Sequence, residues 1–91
     1  MDVTLDILNK CRASGSLGYK IDKMLNILDL QKNDEEDFKK MFADKNSDVA
    51  KAYQRGIDQA DYRIDLMLLK KTEEGDLRAL EKLEQRKSFR K

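Results

Sequence analysis

The chain has no proline, no tryptophan and no histidine, a single cysteine, and three phenylalanines and three tyrosines among 91 residues. Each scarcity excludes something. Without histidine, the side chain most often used as a general base near neutral pH and as a metal ligand is missing. One cysteine allows no disulfide within the chain. Cys11 lies with Ile7 and Leu8 on the apolar side of the first helix, so it reads as a small core residue; a reactive thiol needs an electropositive, partly exposed setting. That cysteine usage suits a reducing cytosol, and the expected location is cytoplasmic. No apolar run approaches the roughly 18 residues of a membrane span, and the opening MDVTLDIL puts acid where a signal peptide carries positive charge. A glycine-rich phosphate loop and a spaced set of metal ligands are also lacking. Enzymatic activity, a cofactor and a metal are therefore not expected. Asp61 and Asp65, the most suggestive carboxylate pair, read as solvated charges on an exposed helix face.

What is present is helical. Leucine, lysine, glutamate, aspartate and alanine recur with apolar residues three and four apart, and no alternating run is long enough for a strand, so the fold class is all-α. A chain of this length is a single small domain burying only about 60 to 65% of its unfolded surface, which makes association favourable. The formal charge of +1 is unevenly spread. Residues 1–48 hold eight basic and ten acidic side chains, residues 49–91 eleven and eight, and the closing RKSFRK alone contributes four cations, which can attract phosphate or an acidic protein or be simply a solvated chain end.

Residues 47–91 predict a lopsided helical hairpin with a basic C-terminal tail. From Val49 an apolar face runs through Tyr53, Ile57, Ala60, Ile64 and Met67 or Leu68 without interruption to Gly75, a helix of about 25 residues and roughly 37 Å. Gly75 can adopt the left-handed conformation that closes this helix, and Asp76 can cap the next, where Leu77, Leu80 and Leu83 resume a stripe. Leu66 to Leu69 place four large apolar side chains at about 100° steps, more than one partner helix can cover. Tyr53, Ile57, Ile64, Leu66 and Leu69 are accordingly expected to join copies of the chain, against the alternative of a closed five-helix monomer. Gly56, mid-stripe, costs about 1 kcal/mol relative to alanine in an exposed helix, which close approach of another helix backbone would offset; the alternative reading is a mild kink.

Residues 1–46 predict three short helices: Thr4 to Ala13, a loop of Ser14-Gly15-Ser16-Leu17-Gly18, Tyr19 to Leu28, a short connection, and Asp34 to Ala43. Two helices joined tightly, with Met24, Leu25, Leu28, Phe38, Met41 and Phe42 as apolar anchors, fit a helix-turn-helix. In that arrangement the third helix meets DNA, with Lys39 and Lys40 as groove or phosphate contacts and Lys20, Lys23 and Lys32 as supporting phosphate contacts. Its first turn, Asp34-Glu35-Glu36-Asp37, opposes a polyanion. The acids also have a structural reading: Asn33 as N-cap, Glu36 completing a capping box, and Glu35–Lys39 and Glu36–Lys40 as four-apart pairs.

Taken in order, these pieces resemble the small subunit of the tailed-phage terminase. The likeness covers roughly residues 17–87. It is carried by AKAYQRG, DQADYRID, LMLLKK and EGDLRALEKLEQR, with MLNILDL and EDFKKMFAD upstream as the two motif helices. The resemblance implies a non-catalytic subunit that recognises double-stranded phage DNA, assembles as a homo-oligomer, in the family's manner a ring, and presents DNA to a large subunit bearing the ATPase and nuclease, in the bacterial host cytoplasm. The acidic third helix keeps a second reading open, a helical adaptor or regulator that binds protein and does not contact DNA.

Overall fold

The computed structural model describes residues 1–90, and these are all-α: α1 (Leu5–Leu17), α2 (Ile21–Leu28), α3 (Lys32–Ala43), α4 (Asp48–Glu73) and α5 (Leu77–Ser88), with no strand among the described residues. Among those residues no helix is long and apolar enough to cross a membrane. Two compact units are formed, residues 1–60 and the remainder from Asp61. The boundary lies inside α4. The two regions expected from the sequence, 1–46 and 47–91, meet ahead of α4, whereas the compact units meet within it.

In the first unit, the hydroxyl of Thr4 accepts from the Ile7 amide at 3.2 Å and starts α1, and Gly18, at φ 74°, ends it. The helix thus runs through Ser14, Gly15 and Ser16, which the sequence places in a loop. The reason is tertiary. Gly15 and Gly56 are both buried where α1 crosses α4, and backbone meets backbone there: a Cβ on Gly15 would lie 2.0 Å from the Tyr53 carbonyl oxygen, and one on Gly56 1.9 Å from that of Arg12. The Ser16 hydroxyl donates to the Gly56 carbonyl at 2.9 Å. Poor helix formers are retained because only small residues permit this crossing. The close approach that Gly56 calls for is therefore made by a helix of the same chain.

Around the crossing, Ile7, Cys11, Met24, Leu25, Phe38 and Val49 form the core, with Tyr19, Leu30, Met41, Phe42 and Tyr53 packed against it. Fully burying a side chain such as Phe38 contributes about 1.5 to 3 kcal/mol. The Cys11 thiol is wholly enclosed, and burial pushes its pKa up to about 11, which keeps it protonated at neutral pH. The Phe42 and Tyr53 rings meet edge to face at 5.0 Å, and the Tyr53 hydroxyl donates to the Tyr19 carbonyl at 2.6 Å. Tyr53, expected on the face that joins copies, is half-buried here and packs against this unit's core.

In the second unit, α4 ends as the sequence predicts. Gly75 sits at φ 95°, its amide donates to Thr72 and that of Asp76 to Lys71, satisfying the last carbonyls of the helix. The Asp76 carboxylate then accepts from the Arg78 and Ala79 amides at 3.0 and 3.1 Å, capping α5. The buried face of α5 is Ala79 and Leu83, whereas Leu77 is 73% exposed. The expected Leu77–Leu80–Leu83 stripe is thus rotated by part of a turn: Ala79 and Leu83, four apart, mark the inward side, and of the three leucines only Leu83 is buried. Arg86 completes that face: its Nε donates to Asp65 at 2.6 Å and a terminal nitrogen to Asp61 at 3.1 Å, while Arg90 donates to the second Asp65 oxygen. Asp61 and Asp65 are thus acceptors in an ion-paired clamp between α4 and α5, and not merely solvated charges.

Candidate nucleic-acid interface

The lysines singled out in the sequence all lie in the N-terminal unit, and each is exposed. Lys20 occupies the N-cap position of α2, and the ammonium of Lys23, one turn into the helix, lies 4.0 Å from the centre of the Tyr19 ring. Lys32, Lys39 and Lys40 share α3. The two helices are joined by Asp29-Leu30-Gln31. Asp29 takes the left-handed conformation at φ 51°, its amide donating to the Leu25 carbonyl at 3.1 Å, and Leu30 is half-buried against the core. A left-handed residue followed by an apolar anchor ends one helix and starts the next within three residues, the length typical of a helix-turn-helix connection. Aspartate tolerates this conformation better than most non-glycine residues, so no small residue is required.

Because Leu30 fixes the turn, α3 begins two residues earlier than its capping signals indicate. Gln31 is the N-cap and makes no side-chain cap bond; its carbonyl accepts from the Glu35 amide at 2.9 Å. Asn33 lies inside the helix, which corrects the Asn33–Glu36 capping box. Neither Glu35–Lys39 nor Glu36–Lys40 closes to 4.0 Å; the ion pairs among the described residues are elsewhere.

The earlier start also redistributes the acids. Phe38 is buried and Met41 and Phe42 partly so, which sets the inward side of α3. Asp34 and Glu35 fall beside that side and are half-buried, and the Asp37 carboxylate receives the Met1 ammonium at 3.3 Å. At about 100° per residue, Asn33, Glu36 and Lys40 are centred on the outward side, Lys32 and Lys39 form one flank, and Asp37 lies on the other. The four consecutive carboxylates in the sequence are therefore not presented as one anionic surface. A single one, Glu36, shares the centre of the exposed face with Lys40.

Of the residues expected to join copies, Ile64, Leu66 and Leu69 are 40, 45 and 44% exposed in the second unit. Tyr62 and Met67 are exposed there too, and an open groove of about 280 Å³ is lined by Tyr62, Leu66, Leu69, Leu83, Lys87 and Arg90. Ile57 is half-buried in the first unit. The C-terminal cations are less free than the sequence indicates, since Arg86 and Arg90 are both paired with Asp65; Lys91, the last of them, lies outside the described residues. The Arg86 hydrogen bond is the main reason the Asp65 carboxyl is held below the ordinary aspartate range, with Arg90 adding to it. The Arg86 and Arg90 contacts could not be inferred from periodicity, because they join residues 21 to 25 positions apart.

Comparison of the chain with known protein families, with curated proteins and with solved structures finds no match. Function must therefore be argued from the residues themselves.

Proposed function

We propose that this chain is a non-catalytic DNA-binding subunit of a phage DNA-packaging terminase. In this reading α2, its turn and α3 contact viral double-stranded DNA, the exposed apolar residues of the second unit assemble copies into a homo-oligomer, and a large subunit supplies the ATPase and nuclease. The observation that carries it is the three-residue turn at Asp29, with Leu30 as anchor, which presents Lys32, Lys39 and Lys40 along an exposed helix. Phosphate neutralisation by such lysines supplies salt-dependent affinity, and multiple copies add avidity. Replacing Lys39 and Lys40 together with alanine should weaken duplex binding and lower the salt slope by about 1.8, at roughly 0.9 per phosphate contact. Replacing Arg90, which is tied to Asp65, and Lys91 should matter less. Loss of binding with the tail pair and none with the helix pair would defeat the assignment of α3.

The outward position of Glu36 beside Lys40 favours a second reading, a helical adaptor docking a protein of mixed charge. Glu36→Gln separates the two. It removes a repulsive charge from a DNA-facing helix and raises duplex affinity, whereas in an adaptor it leaves DNA affinity flat.

A further inference from the structure

Beyond the lysines of α2 and α3, the N-terminal unit carries a second cluster of cations. Lys51 and Arg55 stand one turn apart on α4, both exposed, and both line two grooves. On one side lies an open groove of about 720 Å³ with Lys45 on its wall and the Phe42 and Tyr53 rings among its lining; on the other, a groove of about 230 Å³ is lined by Arg12 of α1. None of the four cations makes an ion pair with a described residue. The carboxylates nearby are Asp48 in the smaller groove and Asp58 in the larger, and Asp58 accepts from Nε2 of Gln54 at 3.0 Å. Like charges four apart on a helix repel, so Lys51 and Arg55 are not there to stabilise α4.

We infer that Lys45, Lys51 and Arg55, with Arg12 at the edge, form a second contact strip for the sugar-phosphate backbone of duplex DNA. Three arguments support this. The Cβ atoms of residues four apart on a helix are about 5 to 6 Å apart, and long flexible side chains from that spacing can engage neighbouring phosphates of one strand. The larger groove borders α3 on its Lys39 flank, because Phe42, which lines it, lies about 60° round the helix from Lys39 toward the core. A duplex seated on α3 has its phosphate backbones on either side of the groove the helix enters, so cations beyond one edge of α3 lie where a strand would pass. DNA is favoured over a protein partner at the larger groove, where Lys45, Lys51 and Arg55 face one carboxylate and no large apolar side chain is exposed; the one exposed apolar anchor, Leu5, lines the smaller groove beside Arg12.

The strip rests on the DNA-binding reading but is separable from it. The test uses the full chain and a fluorescently labelled random-sequence duplex, with anisotropy titrations over a series of KCl concentrations. Wild type is compared with Lys51→Gln/Arg55→Gln and with Lys39→Gln/Lys40→Gln. Glutamine preserves helix propensity, and removal of the four-apart repulsion should leave the first variant melting no lower than wild type. The expected result is about tenfold weaker binding at low salt for Lys51→Gln/Arg55→Gln, and a log–log salt slope smaller by about 1.8. An unchanged affinity and slope in that variant, alongside a loss in the α3 variant, overturns the strip and leaves the function standing. A loss in the α4 variant with none in the α3 variant supports the strip and removes α3 from the interface. Wild type that fails to bind duplex at any salt overturns both.

Discussion

Gly56→Ala is the substitution whose outcome follows most directly from the fold. On an exposed helix it would stabilise by about 1 kcal/mol, since alanine is the better helix former. Here the added Cβ would lie 1.9 Å from the Arg12 carbonyl oxygen and 3.0 Å from the Ser16 amide nitrogen, and backbone atoms cannot rotate aside as a side-chain tip can. Ordinary contact begins at about 3.4 Å, so α1 must withdraw from α4 by more than 1 Å. Overpacking of this kind costs about 1 to 3 kcal/mol. The displacement also weakens the Ser16–Gly56 hydrogen bond, adding about 1 kcal/mol. With the propensity gain subtracted, the variant should be less stable by about 2 kcal/mol, a large share of the roughly 5 to 15 kcal/mol expected for a small domain. Urea unfolding followed by far-ultraviolet circular dichroism measures it, with a lower midpoint and an unchanged slope. Gly15→Ala meets the same crossing, 2.0 Å from the Tyr53 carbonyl oxygen, and the double variant should lose less than the two losses combined, because one withdrawal accommodates both methyl groups. A Gly56→Ala protein as stable as wild type, or more so, would refute the backbone contact.

The clamp in the second unit predicts acid sensitivity. The folded pKa of Asp65 lies below its ordinary value of 3.8, so its stabilising contribution is present above that value and lost as pH falls through the folded pKa; Asp65→Asn should lower the melting temperature at pH 7 and reduce its drop below pH 4. Cys11, with its pKa raised to about 11, should resist alkylation at pH 8 in the native protein and react at the rate of a free thiol in denaturant; rapid native labelling would contradict its burial. Leu69→Asp should dissociate an oligomer by placing an unpaired charge in the contact, as read by light scattering at micromolar concentration, and a wild-type mass that stays near 10.6 kDa on concentration would end the assembly proposal.

Local signals were legible in the sequence, and those that depend on distant partners were not. Gly75 and Asp76 end one helix and begin another through bonds among residues 71–79, and their roles can be read from residue type alone. Ser14-Gly15-Ser16 carries the same turn-forming chemistry, yet it is helical because Gly56, about 40 positions away, offers a backbone to pack on. Asn33 has the right chemistry for a cap and was displaced by Leu30, whose burial fixes the turn before it. Tyr53 lies on the predicted apolar face, but periodicity specifies only that a face is covered; the Phe42 ring and the Tyr19 carbonyl are what cover it. Asp61 and Asp65 read as solvated because Arg86 and Arg90 are sequence-distant, and Lys51 and Arg55, though inside AKAYQRG, become a cationic strip only through the grooves they share with Lys45 and Arg12.

The central claim, that α2, its turn and α3 meet duplex DNA, is tested most directly by titrating isotopically labelled protein with a short duplex and following backbone amide shifts by nuclear magnetic resonance. The account predicts salt-sensitive perturbations concentrated at Lys20, Lys23 and Lys32 through Lys40, with the Gly75–Asp76 turn of the hairpin unaffected. Shifts confined to the hairpin, or none at DNA concentrations well above micromolar, would contradict it.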